Sequence, residues 1–318
     1  MSSATAGLRL ATRGSALALA QARLVAGMIE AATPGLAVEL VPVRTSGDER
    51  SARAVTEAPV VAGPGDKSRF VKEIEEALLA GAADLAVHSA KDVPGELPDG
   101  LAIVGVPPRA DPRDALCGAE SIATLPSRAR VGTSSLRRRA QLLAAREDLE
   151  VGELRGNVDT RLRRLGEGGY DAVVLALAGL ERLGLQTGEP VDPAVMTPAA
   201  GQGCLALEAR AGDERVANLA AAVTDDRALV ALTAERAVTA ALEASCDTPI
   251  GVHAELTGAG GAELMIASFV GRSDGGAWLR DAVAGDAKAP AELGHLAGER
   301  LLVAGAADIL AEGVVKRS

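Results

Sequence analysis

Strand-like and helix-like segments alternate along the first two thirds of the chain, with short apolar runs followed by stretches of helical spacing. Up to residue 89 the pattern predicts a strand at 8–12, a helix at 14–32, a strand at 36–43, a helix from Ser68 and a strand at 84–89. After a Pro-Pro pair it restarts with strands at 130–133, 149–154 and 170–176 and helices at 135–146 and 158–168. This alternation predicts two α/β domains with mostly parallel sheets.

The last third has a different order of elements. A long helix is expected over 225–244, followed by β-type segments at 252–258, 263–271 and 277–285 and a final helix over 289–312. Strands grouped between helices predict a smaller α+β domain at the C-terminus.

Composition narrows the functional classes. The formal net charge is -10, apolar residues make up 48% of the chain and aromatic residues only 1%. No apolar run reaches the ~18 residues that a membrane-spanning helix needs, and the N-terminus lacks the pattern of a signal peptide. Three widely separated cysteines indicate neither a disulfide framework nor a cysteine metal site. We expect a cytoplasmic protein.

Arginine is concentrated in one segment of this acidic chain. Residues 128–164 contain ten Arg, five acidic residues and no Lys. Arginine binds carboxylates and phosphates through two parallel hydrogen bonds, so this usage favours a small ligand rich in such groups. A solvated helix face with local ion pairs is the alternative.

Two strand-to-helix junctions, 13–15 and 133–138, combine hydroxyl side chains with arginine. The N-terminus of a helix binds anions through unpaired N–H groups and the helix dipole. Two such junctions indicate a cleft between the first two domains that binds several carboxylates. The residues concerned are Arg13, Ser15, Thr133, Ser134, Ser135, Arg137 and Arg138.

Two further motifs could carry chemistry. Lys91 and Asp92 follow a predicted buried strand, at the end where open α/β sheets place their sites, although a turn aspartate paired with its neighbouring lysine is the plainer interpretation. His88 fits a core histidine better than a catalyst. Cys246 ends the long predicted helix and could be an exposed nucleophile or inert packing.

Eight segments, in order along nearly the whole chain, carry a resemblance to a known family. They read LRLATRGSALALAQA, VHSAKDVP, DPRDAL, VGTSSLRRRAQL, LRGNVDTRL, YDAVVLALAGLERLGL, AGQGCLALEAR and ERAVTAALEASCDTPIG. They are similar to porphobilinogen deaminase, also called hydroxymethylbilane synthase. The resemblance is weakest in the C-terminal third.

The resemblance implies a fold and a reaction. Two domains would resemble type II periplasmic binding proteins: domain 1 over 1–107 and 204–224, and domain 2 over 108–203. A third, α+β domain over 225–318 would carry the cofactor cysteine. The implied enzyme is a monomeric transferase of haem-type tetrapyrrole biosynthesis. It joins four porphobilinogen molecules head to tail into hydroxymethylbilane and releases ammonia.

The resemblance also implies roles for individual residues. Cys246 would hold a dipyrromethane cofactor by a thioether, Asp92 would be catalytic, and Lys67 and Phe70 would belong to a mobile loop. The residues implied to bind the cofactor are Ser89, Lys91, Thr133, Ser135, Arg137, Arg138, Arg155 and Gly156. Those implied to bind substrate are Arg13, Ser15, Arg161, Arg182 and Gln202.

The chain departs from the family pattern at three motifs. Gly14 replaces the frequent Gln of ATRQS, and the loop reads GDKSRF where the family usually has GGKGLF. Asp247 follows the cofactor cysteine, in ASCDTPIG.

Two other functional classes fit part of the sequence pattern. A non-enzymatic anion-binding protein would share the fold but would not need Asp92 or Cys246. A nucleic-acid-binding protein would use the arginines on phosphates, but the negative net charge and the scarcity of aromatic residues argue against it. The predicted partner is porphobilinogen, with no nucleic acid, membrane or metal.

Overall fold

The computed structural model describes residues 7–43, 69–245 and 247–314. Contacts divide the chain into two compact units. The first comprises Met1–Arg109 and Cys204–Leu229, and the second comprises Ala110–Gly203 and Val230–Ser318. The division into three domains stays a prediction.

Both units combine strands with helices. The strands are β1 (Leu8–Arg13), β2 (Val38–Val43), β3 (Leu85–Ser89), β4 (Leu101–Gly105), β5 (Asp114–Cys117), β6 (Arg130–Gly132), β7 (Glu150–Gly152), β8 (Ala172–Ala176), β9 (Glu189–Pro190), β10 (Leu205–Arg210), β11 (Ile250–Thr257), β12 (Glu263–Gly271) and β13 (Trp278–Asp286). The α-helices are α1 (Ala16–Ala32), α2 (Arg69–Leu79), α3 (Leu136–Ala145), α4 (Val158–Gly166), α5 (Leu177–Arg182), α6 (Glu214–Ala221), α7 (Asp226–Ala241), α8 (Pro290–Val303) and α9 (Ala306–Val314).

Sheet A, in the first unit, has the strand order β2-β1-β3-β10-β4. β1 is parallel to β2 and β3, whereas β10 is antiparallel to β3 and β4, so four of the five strands run in one direction. Leu10 and Val87 pack on the α1 face, and Ala11 and Ala86 pack on the α2 face. Because β1 and β3 are parallel neighbours, their carboxyl ends lie at the same edge of the sheet.

Sheet B, in the second unit, repeats this arrangement with the order β7-β6-β8-β5-β9. β6 is parallel to β7 and β8, and β5 is antiparallel to β8 and β9. Leu142 of α3 packs with Val131 and Val174 on one face, whereas Leu162 of α4 packs with Val173 on the other. The predicted α/β class with mostly parallel sheets is therefore confirmed.

The C-terminal part is a three-stranded antiparallel sheet, β11-β12-β13, with α7, α8 and α9 packed on it. The helices α7 and α8 approach closely because Gly294 has no side chain: a Cβ there would lie 2.4 Å from the carbonyl oxygen of Ala234. The single helix expected over 289–312 is wrong, since it is interrupted at Gly305, where φ is +97°. Within the described ranges, no helix combines the length and apolar character needed to span a bilayer.

Candidate active site

Arg13 and Ser15 lie where β1 ends and α1 begins. Arg13 is the last residue of the strand, and the Oγ of Ser15 accepts a hydrogen bond from the backbone N–H of Ala18 at 3.3 Å. Ser15 is thus the N-cap of α1, as the sequence predicted. The first-turn N–H groups of this 17-residue helix begin at the carboxyl edge of sheet A.

The neighbouring strand β3 ends in the second predicted motif. Ser89 is the last strand residue, and its Oγ accepts from Nε2 of Gln21 at 3.0 Å. A short 3-10 turn, Ala90–Asp92, then carries Lys91 and Asp92, both partly exposed. The first unit therefore brings these residues to the same edge of sheet A as Arg13 and Ser15.

Three buried ionisable groups lie on the α2 face of sheet A. Nε2 of His88, on β3, is 2.9 Å from a carboxylate oxygen of Glu208, on β10. Glu75 of α2 is also buried, and burial, followed by the negative charge of Glu208, raises the pKa of its carboxyl. His88 is a core residue as predicted, but the pattern gave no sign of Glu75 and Glu208, because acidic residues in amphipathic segments are usually solvated.

In the second unit, β6 leads into α3 through hydroxyl residues. Oγ1 of Thr133 accepts from the backbone N–H of Ser135 at 3.1 Å. Oγ of Ser135 accepts in turn from the backbone N–H of Arg138 at 3.4 Å, so Ser135 caps α3. This is the predicted junction, and it repeats the arrangement at the start of α1.

Arg155, Gly156 and Arg161 follow β7, the neighbour of β6. Arg155 is exposed and forms an ion pair with Glu153 at 2.6 Å, while Nε of Arg161 donates to the carbonyl of Gly156 at 2.8 Å. Gly156 has φ +112°, and a Cβ there would lie 2.8 Å from Cγ2 of Thr160. Only glycine fits this turn without strain. The turn places both arginines beside the start of α4.

Arg137 and Arg138 are buried, although they were expected beside a ligand cleft. Arg137 donates to both carboxylate oxygens of Asp114, at 2.7 and 3.1 Å, and Nε of Arg138 donates to one of them at 2.9 Å. Asp114 is 0% exposed. Burial alone would raise the pKa of this carboxyl, but the two guanidinium groups hold it well below its ordinary range. Asp114 lies in the quoted motif DPRDAL, yet sequence analysis assigned it no role.

Gln202 belongs to the same buried group. Its Nε2 donates to Asp114 at 2.9 Å and to the carbonyl of Pro112 at 2.8 Å. Arg182, at the end of α5, donates to the carbonyl of Gly203 at 2.6 Å. Roles for Gln202 and Arg182 in substrate binding stay predictions, and the amide of Gln202 already has two acceptors inside the protein.

Cys246 and Lys67 lie outside the described residues, and Phe70 is described only as part of the backbone of α2. No group of three or more His, Cys, Asp or Glu suited to a metal ion occurs in the described part of the chain.

Each unit therefore gathers capping hydroxyls, helix N–H groups and cationic side chains at the carboxyl edge of a mostly parallel sheet. Ligands of open α/β sheets bind at such edges, and these groups suit anions. The fold and the site thus define an α/β protein equipped to bind anionic ligands. A solved structure of the methionine-binding protein MetQ is similar, with TM-score 0.44 and 16% identity over 70% of this chain and 92% of that chain.

Comparison with sequence families identifies the particular group. The family "Porphobilinogen deaminase, dipyromethane cofactor binding domain" matches residues 8–218, and the family's C-terminal domain matches residues 229–303. The chain is 48% identical to a porphobilinogen deaminase of Roseiflexus castenholzii over 308 residues, covering 96% of this chain and 98% of that protein. It is 46% identical to one from Moorella thermoacetica over 309 residues, covering 96% of each. The chain belongs to the porphobilinogen deaminase family.

Proposed function

We infer that this chain is a transferase that joins four porphobilinogen molecules head to tail into hydroxymethylbilane, with release of ammonia, in tetrapyrrole biosynthesis. The observation that carries this conclusion is the match of both family domains and of relatives over 96% of the chain. The anion-binding character of both sheet edges agrees with it, since the substrate is a dicarboxylate.

Carboxylate recognition would be the task of the arginines. Each porphobilinogen carries an acetate and a propionate, so every unit added to the product brings two more negative charges. Planar guanidinium groups bind such carboxylates in a fixed orientation. The residues we propose for substrate are Arg13, Ser15, Arg161, Arg182 and Gln202.

The second unit suits a dipyrromethane cofactor, whose two pyrroles also carry carboxylates. Its sheet edge offers the capped N-terminus of α3 and a buried group of two guanidiniums with one carboxylate, which leaves net positive charge. When bound, dipyrromethane supplies the pyrrole carbon to which the first substrate is joined. We propose that Cys246 anchors it and that it is held by Ser89, Lys91, Thr133, Ser135, Arg137, Arg138, Arg155 and Gly156.

Asp92 is the residue we propose for catalysis. It lies on a short turn directly after β3, partly exposed, at the edge that also carries Arg13 and Lys91. Its carboxylate would stabilise the positive charge that develops on the substrate as ammonia leaves, and would accept and return the proton of the pyrrole nitrogen. Arginine cannot act as the base, because it stays protonated.

We further propose that the protein acts in the cytoplasm as a monomer and binds neither nucleic acid nor membranes. The formal charge of -10 and the aromatic content of 1% support the absence of nucleic-acid binding. Lys67 is proposed to belong to a loop that covers the site and excludes water during the reaction. Phe70, expected in the same loop, instead lies in the first turn of α2.

Intact-protein mass spectrometry tests the proposed function. The purified protein should exceed its sequence mass by two pyrrole units, react with Ehrlich's reagent and release ammonia from porphobilinogen. Cys246→Ala should lose the extra mass. Cys117→Ala is the matched control, because Cys117 is buried in the core of the second unit and should be irrelevant to attachment. A fully active wild-type protein without the extra mass would refute the proposal.

A further inference from the structure

Asp114 connects three parts of the second unit. It is the first residue of β5, and its carboxylate binds Arg137 and Arg138 from the first turn of α3. Gln202 lies in the segment between β9 and β10, and its Nε2 donates to the same carboxylate at 2.9 Å. Asp114 therefore fixes the start of α3 against β5 and against the chain around residue 202.

Backbone carbonyls and Gln202 hold the rest of the two guanidiniums, and Nη2 of Arg137 donates to Oε1 of Gln202 at 3.5 Å. Nη1 of Arg137 donates to the carbonyl of Thr197 at 2.8 Å, and Nη1 of Arg138 donates to the carbonyl of Val174 at 2.9 Å. The Thr197 carbonyl also accepts from Nε2 of Gln141 at 2.9 Å. Both long side chains are thus fixed by several hydrogen bonds, in an orientation that surface arginines do not share.

The charges of this group do not cancel. Two guanidinium groups face one carboxylate, and the remaining contacts come from neutral amide and carbonyl groups. A buried group with one unit of excess positive charge is costly unless an anion compensates for it. An anion at the neighbouring N-terminus of α3 would supply that compensation, and Asp114 sets how much of the arginine charge remains for it.

We propose that Asp114 and Gln202 are positioning residues: they hold Arg137 and Arg138 as a fixed pair with one excess positive charge that favours a carboxylate of the dipyrromethane cofactor. This inference rests on the proposed function and adds to the proposed substrate contact of Gln202 a second role, that of orienting the arginines. Asp114 acts through the two arginines and does not itself attract the anionic ligand, which it would repel.

Asp114→Asn tests the proposal, because it keeps the size of the side chain and removes its charge. Cofactor-free protein is incubated with porphobilinogen, and the rate at which it gains the mass of two pyrroles is followed by intact mass spectrometry. We expect that rate to fall about 10- to 100-fold at a temperature where the variant is folded, which is the range typical when a partner that orients a ligand-binding group is lost.

Asp84→Asn is the matched control. Asp84 also contacts two arginines, Arg9 at 2.7 Å and Arg210 at 3.6 Å, but it lies at the start of β3, away from the carboxyl edge of sheet A. The same substitution there should lower the melting temperature and leave the rate of mass gain within about twofold of wild type. If the rate of mass gain fell in both variants in proportion to the drop in melting temperature, the role of Asp114 would be structural. That result would overturn the proposal.

Gln202→Met keeps the inference testable if Asp114→Asn does not fold. It removes the amide that holds Asp114 and leaves all three charges in place, so we expect a smaller loss, about 3- to 10-fold. The same substitution in an Arg138→Gln background should add little, because the two residues would act through one group. If Gln202→Met gained the mass at the wild-type rate, the positioning role would be refuted and the proposed function would stand. If the wild-type protein itself never gained the mass, the proposed function would be overturned as well.

Discussion

Replacing Arg138 or Arg155 by leucine should affect the stability of the protein differently, because Arg138 is buried and Arg155 lies at the surface. Both are proposed to bind the cofactor, so both variants should lose activity. Arg138 is buried and donates to Asp114 and to the carbonyl of Val174. The side chain of Arg155 is 48% exposed and pairs with Glu153, which is 63% exposed. We therefore expect only Arg138→Leu to destabilise the protein.

The magnitude follows from what each substitution leaves unpaired. Breaking a buried ion pair costs about 3–5 kcal/mol when a charge is left without a partner. In Arg138→Leu the carboxylate keeps Arg137 and the group loses its excess positive charge, so the loss should fall below that range. We expect about 1–3 kcal/mol, because Asp114 loses a hydrogen bond and the carbonyl of Val174 loses its donor. The exposed pair of Arg155 contributes about 0–1 kcal/mol.

Differential scanning calorimetry of the two variants and of wild type measures this difference. Arg138→Leu should melt several degrees below wild type, and Arg155→Leu within about two degrees of it. Porphobilinogen consumption, measured at a temperature where all three are folded, should fall in both. Equal melting temperatures for wild type and Arg138→Leu would refute the reasoning, because the buried contacts would then contribute nothing.

Two further predictions concern carboxylates of the first unit. Asp92→Asn should keep any attached cofactor but release ammonia at least ~10² to 10³ times more slowly than wild type in single-turnover assays. Asp92→Glu should be impaired less, because it keeps the charge. If the Asn variant turned over within a few-fold of wild type, Asp92 would be a structural turn residue. Glu75→Gln should flatten the dependence of stability on pH. The pKa of Glu75 is raised in the folded state, by burial and then by the charge of Glu208, with His88 opposing, so its contribution is greatest below its unfolded pKa and is lost as pH rises. Calorimetry from about pH 4, just below the ordinary pKa of a glutamate, to about pH 8 should therefore show the stability of Glu75→Gln rising relative to that of wild type as pH increases. A difference that stays constant over this range would contradict the assignment.

The α/β architecture could be predicted because it depends on local pattern. Strands and helices buried on one or both faces leave clear periodicities, and the caps Ser15 and Ser135 mark where α1 and α3 begin. The antiparallel strands β5 and β10 were not predicted, because each follows an irregular segment and is recognisable only through its pairing partners. The break at Gly305 was missed because the apolar pattern continues on both sides of it.

The interior of the candidate site was harder to predict than its edge. The sequence of an arginine run does not show whether its side chains face solvent or a buried carboxylate. Here the buried partner, Asp114, lies 23 residues from Arg137 in sequence, so local pattern could not reveal the contact. The same holds for His88 and Glu208, which are neighbours only because β3 and β10 pair. Residue type and spacing located the loops at the carboxyl edges of the two sheets, whereas long-range pairing decides which arginines are buried.

This difference changes how the arginines should be regarded. The interpretation of the whole 128–164 run as one ligand-binding patch treats its members as equivalent, but the structure separates a buried pair from exposed residues such as Arg155 and Arg163. The buried pair is already ordered before any ligand binds, so it loses little conformational entropy on binding. An exposed arginine must give up its ion pair and its side-chain freedom first. We therefore expect the buried pair to contribute to orientation and the exposed arginines to adapt to a product that lengthens during the reaction.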